Sequence, residues 1–267
     1  ILSNDEATIA TTETFEYDHG GRLMKAWHQV NDMEPVLTTE NSYNELGELI
    51  DKKLHFDRAE GQFAQSVDYR YNIRGWLTSI NNAARTNESG INDDTDDLFG
   101  MNLQYNTDHL AIGGTDQFNG NISGMAWSNA SYTAKKAYNF AYDKLNRLTD
   151  ANYKEKTTGS WNVNTGHFSV TGIDYDQNGN IEKLNRKETN TLIDELEYRY
   201  DGNRLLSVND KQNHAGGFVD GEESSTEYLY DANGNMTSDR NKQISDIDYN
   251  LLNLPEKVTF EDGRYLE

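Results

Sequence analysis

The stretch Phe15-Glu16-Tyr17-Asp18-His19-Gly20-Gly21-Arg22-Leu23 carries the residue pattern of a complete β-hairpin. Phe15 and Tyr17 are separated by one residue, so both rings lie on one face of an extended strand. Asp18 favours the end of the strand, because its carboxylate accepts hydrogen bonds from nearby backbone N–H groups and so competes with the hydrogen bonds between strands. Gly21 supplies a positive φ angle, and Leu23 begins a return strand on the buried face. The stretch predicts a hairpin with a loop of about four residues, close to a type I turn followed by a left-handed residue.

The same pattern recurs along the chain at irregular spacing. The repeat has nine anchor positions, each a Tyr followed by Asp or Asn, which are Tyr17, Tyr43, Tyr71, Tyr105, Tyr142, Tyr175, Tyr200, Tyr230 and Tyr249. A glycine stands four residues after five of these anchors, at Gly21, Gly47, Gly75, Gly179 and Gly234. The segment at Tyr200 is one residue shorter, so we expect Asn203 to take the place of the glycine, and the segment at Tyr105 follows the pattern least well. The repeat predicts successive hairpins, with insertions 83–97, 109–131 and 157–166 in loops.

The predicted fold class is all-β, with repetitive antiparallel hairpins in a long curved or spiralling sheet, as one repeat segment over residues 1–267. Hydrophobic residues make up only 35% of the chain and the mean hydropathy is -0.89, which favours a thin structure over one thick core. An aromatic share of 11% argues against disorder. Pro35 and Pro255 lie where strands could end, and the best helical stretch, 129–138, is short enough to be predicted as strand or turn.

Charge and composition narrow the classes of partner and cofactor. The formal net charge of -21 repels phosphate backbones and anionic headgroups, so we expect no nucleic-acid partner. No apolar run approaches the length of a membrane span, so we expect no membrane insertion. Cysteine is absent, and no pair of histidines has helical metal-ligand spacing. No nucleophile elbow or phosphate-binding glycine loop occurs. We therefore expect no catalytic residue, no metal and no cofactor.

Two acidic stretches resemble cation sites and have simpler explanations. Asp174-Tyr175-Asp176-Gln177-Asn178-Gly179-Asn180-Ile181 fits the first half of a calcium-binding loop, but the twelfth position is Asn185 instead of glutamate. The same residues fit the hairpin repeat. The run 93–97 contains four aspartates and is interpreted as a solvated loop.

The pattern apolar-x-Tyr-Asp-x-x-Gly-x-Leu resembles the YD repeat of the Rhs family, which also occurs in insecticidal toxin-complex subunits and in teneurins. The stretches 71–80, 118–124 and 230–235 look like Rhs proteins of Bacteroidetes type, and the resemblance extends from Phe15 to about Phe260. It implies a β-sheet that winds into a hollow shell around a C-terminal toxin domain. The family's self-cleaving segment contains Asp-Pro, which does not occur here, so neither that segment nor a toxin domain is assigned.

The resemblance implies a secreted or bacterial cell-surface protein of which this sequence is one segment. The implied partner is the remainder of the same Rhs chain, including a C-terminal toxin. The alternative is a carbohydrate-binding or adhesin module, in which tyrosine rows and the tryptophans Trp27, Trp76, Trp127 and Trp161 stack on sugar rings. The fixed place of the tyrosines in the repeat favours cross-strand ladders instead. Open sheet edges further predict edge-mediated self-association.

Overall fold

The structure is a computed structural model that describes residues 9–88, 92, 96–156, 159–161, 167–221 and 224–267. Within these residues the regular structure is almost entirely β-strand. The one helical element is a single 3₁₀ turn, Arg240–Lys242, which begins after Asp239. The predicted all-β fold class is confirmed.

In the part of the chain that the structure describes, fourteen strands form one antiparallel sheet in which every strand pairs with its neighbour in the chain. The strands are β1 Thr11–Tyr17, β2 Leu23–Val30, β3 Val36–Tyr43, β4 Leu49–Asp57, β5 Gln62–Tyr71, β6 Leu77–Ile80, β7 Phe99–Gln104, β8 Gly124–Asn129, β9 Tyr132–Tyr142, β10 Leu148–Lys156, β11 Val170–Tyr175, β12 Ile181–Glu188, β13 Thr191–Asp201 and β14 Arg204–Asp210. This order is the topology of consecutive hairpins that the repeat predicts.

Five further strands form a second antiparallel sheet, again in chain order. They are β15 Tyr228–Tyr230, β16 Met236–Asp239, β17 Ile244–Tyr249, β18 Pro255–Phe260 and β19 Tyr265–Leu266. Pro255 is the first residue of β18, and Pro35 directly precedes β3, so both prolines stand at strand ends where no ladder N–H is lost.

The chain forms two compact units, residues 1–137 with 155–161 and residues 138–154 with 162–267. One buried core cluster of the first unit consists mostly of alanine side chains, with Leu110 and Trp161 packed against it. Its buried members are Ala83, Ile112, Ala126 and Ala137. Such a core contains little apolar volume, in keeping with the low hydropathy.

The second unit has a core of larger side chains. Leu196 on β13, Val208 on β14 and Tyr228 on β15 are buried together, so this core joins the end of the first sheet to the start of the second. Phe218, from the connection between the two sheets, packs against it.

One of the expected loops contains regular structure. β8 and the start of β9 lie inside the predicted insertion 109–131 or directly after it, so the loop is limited to residues 105–123. The alternation of Gly124-Met125-Ala126-Trp127-Ser128 gives β8 a buried face of small side chains, which the glycine- and serine-rich composition concealed. The prediction of strand or turn for 129–138 is confirmed. Most of 157–166 and residues 89–91 and 93–95 lie outside the described residues.

Candidate functional site

The turn after Tyr17 is closed by the side chain of Asp18 and by a left-handed glycine. The N–H of Gly21 donates to the carbonyl of Asp18 at 3.0 Å, and the N–H of Asp18 donates to the carbonyl of Arg22 at 3.0 Å. Asp18 Oδ1 accepts the N–H groups of Gly20 and Arg22 at 2.8 and 2.9 Å. Gly21 has a φ of 78°. These bonds give a type I turn followed by a left-handed residue, as the sequence predicts.

Six further turns repeat this arrangement. In each, the side-chain oxygen of the residue after the anchor tyrosine accepts the N–H groups two and four positions later, at 2.8 to 3.2 Å. These acceptors are Asn44, Asn72, Asp143, Asp176, Asp231 and Asn250. The left-handed position is filled by Gly47, Gly75, Asn146, Gly179, Gly234 and Asn253, with φ between 57° and 92°. Asp and Asn are therefore interchangeable at the turn because both supply the same oxygen.

The anchor tyrosines stand at the ends of the outgoing strands. Seven of them are the last residue of a strand, namely Tyr17, Tyr43, Tyr71, Tyr142, Tyr175, Tyr230 and Tyr249. Tyr200 is the last but one residue of β13, and Tyr105 directly follows β7.

Seven of the return strands that follow an anchor tyrosine start with a β-bulge. In the first hairpin Tyr17 pairs with Leu23 while Glu16 pairs with Lys25, so Met24 is an extra residue in the return strand. The same shift follows the anchors at positions 43, 71, 175, 200, 230 and 249. A bulge at a fixed place increases the local twist of these seven hairpins in the same way.

The hydroxyl of an anchor tyrosine donates to the carbonyl of the residue that begins the preceding return strand. We call these contacts the inter-repeat tyrosine bonds. They join Tyr43 to Leu23, Tyr71 to Leu49, Tyr105 to Leu77, Tyr175 to Leu148, Tyr200 to Ile181 and Tyr249 to Met236, at 2.7 to 3.0 Å. Each bond crosses from one hairpin to the previous one, so the tyrosine has a hydrogen-bonding role beyond the packing of its ring.

Burial affects the phenols that make these bonds. It raises the pKa of Tyr71, Tyr105, Tyr175 and Tyr200 above the ordinary tyrosine value. The raised pKa keeps these hydroxyls protonated, and therefore able to donate, further into the alkaline range than an exposed tyrosine.

The residue five positions after the anchor connects neighbouring turns. Arg147 donates through Nε to Asp143 of its own turn at 2.6 Å, and its guanidinium lies 4.5 Å from the ring centre of Tyr175 in the next hairpin. Its Nη1 also donates to the carbonyl of Asp176 at 3.1 Å. At the same position, Arg22 lies 4.9 Å from the ring centre of Tyr43, and the amides of Asn180 and Asn235 donate to Asn203 and Asn253 at 3.1 and 3.0 Å. These contacts link the first two turns of the first unit, and in the second unit they link the turns after Tyr142, Tyr175 and Tyr200 and the turns after Tyr230 and Tyr249. We call these linked turns the turn rows.

Hydrogen bonds hold the turn aspartates in the ionised form. Backbone N–H donors of Arg22 and Arg147 are the leading causes that lower the pKa of Asp18 and Asp143. The side-chain amides of Asn180 and Asn235 are the leading causes that lower the pKa of Asp176 and Asp231. The negative charge of these carboxylates is therefore stabilised by hydrogen bonds within the turn itself.

Two anchors depart from the predicted turn. After Tyr200 the chain reverses through Gly202 and Asn203 alone, because Asp201 pairs directly with Arg204. Gly202 has the positive φ, 60°, so the expectation that Asn203 takes this role is wrong. A glycine at the first position of a two-residue loop suits a type II′ turn, and the Gly-Asn pair could have indicated it. Tyr105 makes its inter-repeat bond but enters a long loop instead of a tight turn.

The sequence pattern also missed a turn without a tyrosine anchor. The N–H of Phe260 donates to the carbonyl of Arg264 at 2.8 Å, and the N–H of Gly263 donates to the carbonyl of Phe260 at 3.0 Å. Gly263 has a φ of 85°. The pair Asp262-Gly263 was the available signal for this reversal between β18 and β19.

The calcium-like stretch is used as a turn. Asp176 Oδ1 accepts two backbone N–H groups, and Oδ2 accepts the amide of Asn180 at 2.8 Å. In the run 93–97, Asp93 and Asp94 lie outside the described residues, whereas Asp97 is buried and accepts the amide of Asn92 at 2.9 Å. Among the residues that the structure describes, no group of three His, Cys, Asp or Glu side chains is arranged to hold a metal ion.

The side chains of Trp76 and Trp161 have defined partners in the structure. Trp76 contacts the ring of Tyr105, with ring centres 5.1 Å apart, and the guanidinium of Arg74 lies 4.9 Å from its ring centre. Trp161 donates from Nε1 to the carbonyl of Leu110 at 2.8 Å. Trp27 and Trp127 are half-buried residues of β2 and β8.

Comparisons with known proteins give little further information. No helix in the described part of the chain is long and apolar enough to cross a membrane. No protein-family model matches the sequence, and no curated protein matches it.

Among solved structures, the chain is similar to a chain of the Photorhabdus luminescens Tc holotoxin pore carrying a TccC3 mutation, at 12% identity and a TM-score of 0.27. It is also similar to a chain of the crystal structure of TcdB2-TccC3-Cdc42, at 14% identity and a TM-score of 0.28. Each match covers 96% of this chain and 16% of the other. Similarity at these TM-scores carries no argument about fold or function.

Proposed function

We propose that this chain is a wall segment of an Rhs/YD-repeat shell. In this proposal the shell encloses or presents a C-terminal toxin or effector in a secreted or cell-surface bacterial protein. The segment itself acts as a structural scaffold and performs no catalysis.

The inter-repeat tyrosine bonds carry the proposal. Six anchor hydroxyls bond the preceding return strand at 2.7 to 3.0 Å, so six of the repeats are fixed to the one before by the same contact. A structure stabilised mainly by contacts between neighbouring repeats can be lengthened by adding repeats and needs no central core. This property suits a wall that must leave space for a cargo.

The turn rows support a static role. The turn carboxylates and amides are bonded to their own backbone and to the next turn. Polar side chains that are already hydrogen-bonded within the scaffold contribute to its rigidity and are occupied before any substrate arrives.

Enclosure can be tested by limited proteolysis of the parent protein. We expect a toxin-like domain encoded downstream of residue 267, and we expect that domain to resist protease while the repeat region is folded. Urea that unfolds the repeats should make both regions sensitive together. If the downstream domain is cleaved as fast as the isolated domain, enclosure is contradicted. If the parent protein contains no such domain, the proposal that the shell holds a toxin or effector is contradicted.

A glycan array on this chain separates the scaffold from the adhesin alternative. The scaffold predicts no saturable sugar binding. Tight, saturable binding that is lost on replacing an exposed aromatic side chain would favour the adhesin instead.

A further inference from the structure

One glutamate joins the two sheets of the second unit. β14 is the last strand of the first sheet, and Glu227 occupies the place of a partner strand along it. The N–H of Glu227 donates to the carbonyl of Leu206 at 2.7 Å. Its carboxylate Oε2 accepts the N–H of Val208 at 3.0 Å. A single residue thus satisfies two neighbouring ladder groups of β14, one through its backbone and one through its side chain.

The same residue is bonded on its other side to the second sheet. The carbonyl of Glu227 accepts the N–H of Arg240 at 3.1 Å. Its Oε2 also accepts the side-chain amide of Asn241 at 2.7 Å, and Asn241 Oδ1 accepts the N–H of Gly221 at 2.9 Å. Glu227 is only 2% exposed. The carboxyl therefore lies in the interior, between β14 and the end of β16.

The charged neighbours of Glu227 are mostly of its own sign. Asp220 comes from the connection and Asp239 from the end of β16, and both act on Glu227 electrostatically. Asp239 pairs with Lys242 at 3.3 Å, but the lysine side chain is 74% exposed. Asp220 accepts the N–H of Asp210 through Oδ2 at 3.1 Å, and its buried Oδ1 has no hydrogen-bond partner in the described part of the chain. Tyr228 is hydrogen-bonded to Asn241 at 3.3 Å, and Glu197 and Arg199 of β13 line the same cavity as Glu227, so these three are further titratable groups near it in the described part of the chain.

We propose that Glu227 is a proton-binding joint, which holds the sheet β15–β19 against β14 more firmly when its carboxyl is protonated than when it is charged. A neutral carboxyl keeps a carbonyl oxygen that accepts the Val208 N–H. It also removes one of three negative charges from a buried site. The inference goes beyond the shell role, because it concerns regulation of the contact between two sheets.

Electrostatics gives the direction of the effect. Burial is the leading cause that raises the pKa of Glu227, the charges of Asp220 and Asp239 raise it further, and the bonds from Val208 and Asn241 act in the opposite direction. For an acid whose pKa is raised by folding, the folded state binds the proton more tightly than the unfolded state does. The stabilisation is present in full below the unfolded pKa and is lost as the pH rises through the folded pKa. The joint is therefore firmest in mild acid.

Amide hydrogen exchange between pH 5 and pH 8 tests the joint in the complete chain. We expect the protection factors of Val208 and Leu229, corrected for the intrinsic pH dependence of exchange, to rise as the pH falls. One pH unit of difference between the folded and unfolded midpoints corresponds to about a tenfold change in protection. In Glu227→Gln, which imitates the neutral carboxyl, we expect protection that does not depend on pH and that at pH 8 equals or exceeds the wild-type value.

Three outcomes would overturn the proposal. Lower protection at every pH in Glu227→Gln would show that the charged carboxylate itself is needed. A ¹³C NMR titration of the Glu227 carboxyl with a midpoint at or below the ordinary glutamate value would exclude proton uptake, whatever the variant does. Protection that depends on added Ca²⁺ instead of pH would make the cluster a cation site. Glu261→Gln, at an exposed glutamate in the turn between β18 and β19, is the matched control and should leave the wild-type pH dependence unchanged.

Discussion

Removal of one hydroxyl, in Tyr105→Phe, tests whether the inter-repeat tyrosine bonds contribute to stability. Tyr105 is 7% exposed, and its hydroxyl lies 2.7 Å from the carbonyl of Leu77. Phenylalanine keeps the ring and its contact with Trp76, so the substitution removes only the hydrogen bond. A typical hydrogen bond contributes about 1 kcal/mol, and a buried acceptor left without a donor costs about 1–3 kcal/mol. We therefore expect a loss of about 1–2 kcal/mol in the free energy of unfolding.

Urea-induced unfolding measures this loss. With a slope of about 2–3 kcal/mol per molar urea, the midpoint should fall by about 0.3–1 M while the slope stays constant. Tyr132→Phe is the matched control, because Tyr132 is 57% exposed. We expect the control to change stability by less than about 0.5 kcal/mol. Equal midpoints for both variants would refute a stabilising role for the tyrosine hydroxyls.

Three further predictions concern the turns and the sheet edges. Gly179 has a φ of 92°, so Gly179→Ala should lower the free energy of unfolding, measured by heat or urea, by about 1–2 kcal/mol. Gly179→Asn should lower it less, because asparagine tolerates this conformation. Equal losses in the two variants would show that backbone conformation is not the constraint. The turn aspartates have a lowered pKa, so the stability they contribute is present above their unfolded value of about 3.8 and is lost as the pH falls through their lower folded values. These four aspartates are Asp18, Asp143, Asp176 and Asp231. Replacing all four by asparagine, the residue that other turns use, should make the melting temperature depend less on pH on the acid side. An unchanged dependence of melting temperature on pH would contradict this reasoning. Exposed strands at the sheet ends, such as β1, should cause the protein to associate as its concentration rises, which sedimentation experiments measure. A protein that stays monomeric at high concentration would contradict this prediction.

Local turn chemistry explains why the hairpins could be predicted from the sequence. Asp18 and Gly21 act within a few residues of one another, and the turn bonds join groups at most four positions apart. Strand ends, strand order and the return-strand leucines follow from these local rules. The turn after Tyr200 departs from the repeat because Gly202 and Asn203 form a two-residue loop, which the Gly-Asn pair indicates more directly than the repeat pattern does.

Long-range contacts could not be predicted in the same way. The bond from Tyr71 to Leu49 joins groups 22 positions apart, and its acceptor is a backbone carbonyl that has no residue-type signal. The β-bulge opposite Tyr71 likewise depends on how β5 and β6 pair, so residue types alone do not indicate it. The joint at Glu227 depends on a connection of irregular length that brings buried carboxylates together from separate elements, and the sequence shows only another acidic residue there.

Cross-linking of two successive hairpins tests the central claim that the hairpins lie side by side in a fixed register. Lys25 on β2 pairs with Glu40 on β3, with an ion pair at 3.2 Å, whereas Thr39 points to the opposite face. The chain contains no cysteine, so engineered pairs can be oxidised without background. We predict that Lys25→Cys with Glu40→Cys forms an intramolecular disulfide and that Lys25→Cys with Thr39→Cys does not, because only the first pair meets the Cβ geometry of a disulfide. Equal cross-linking of both pairs, or preference for the second, would contradict the register on which the inter-repeat tyrosine bonds depend.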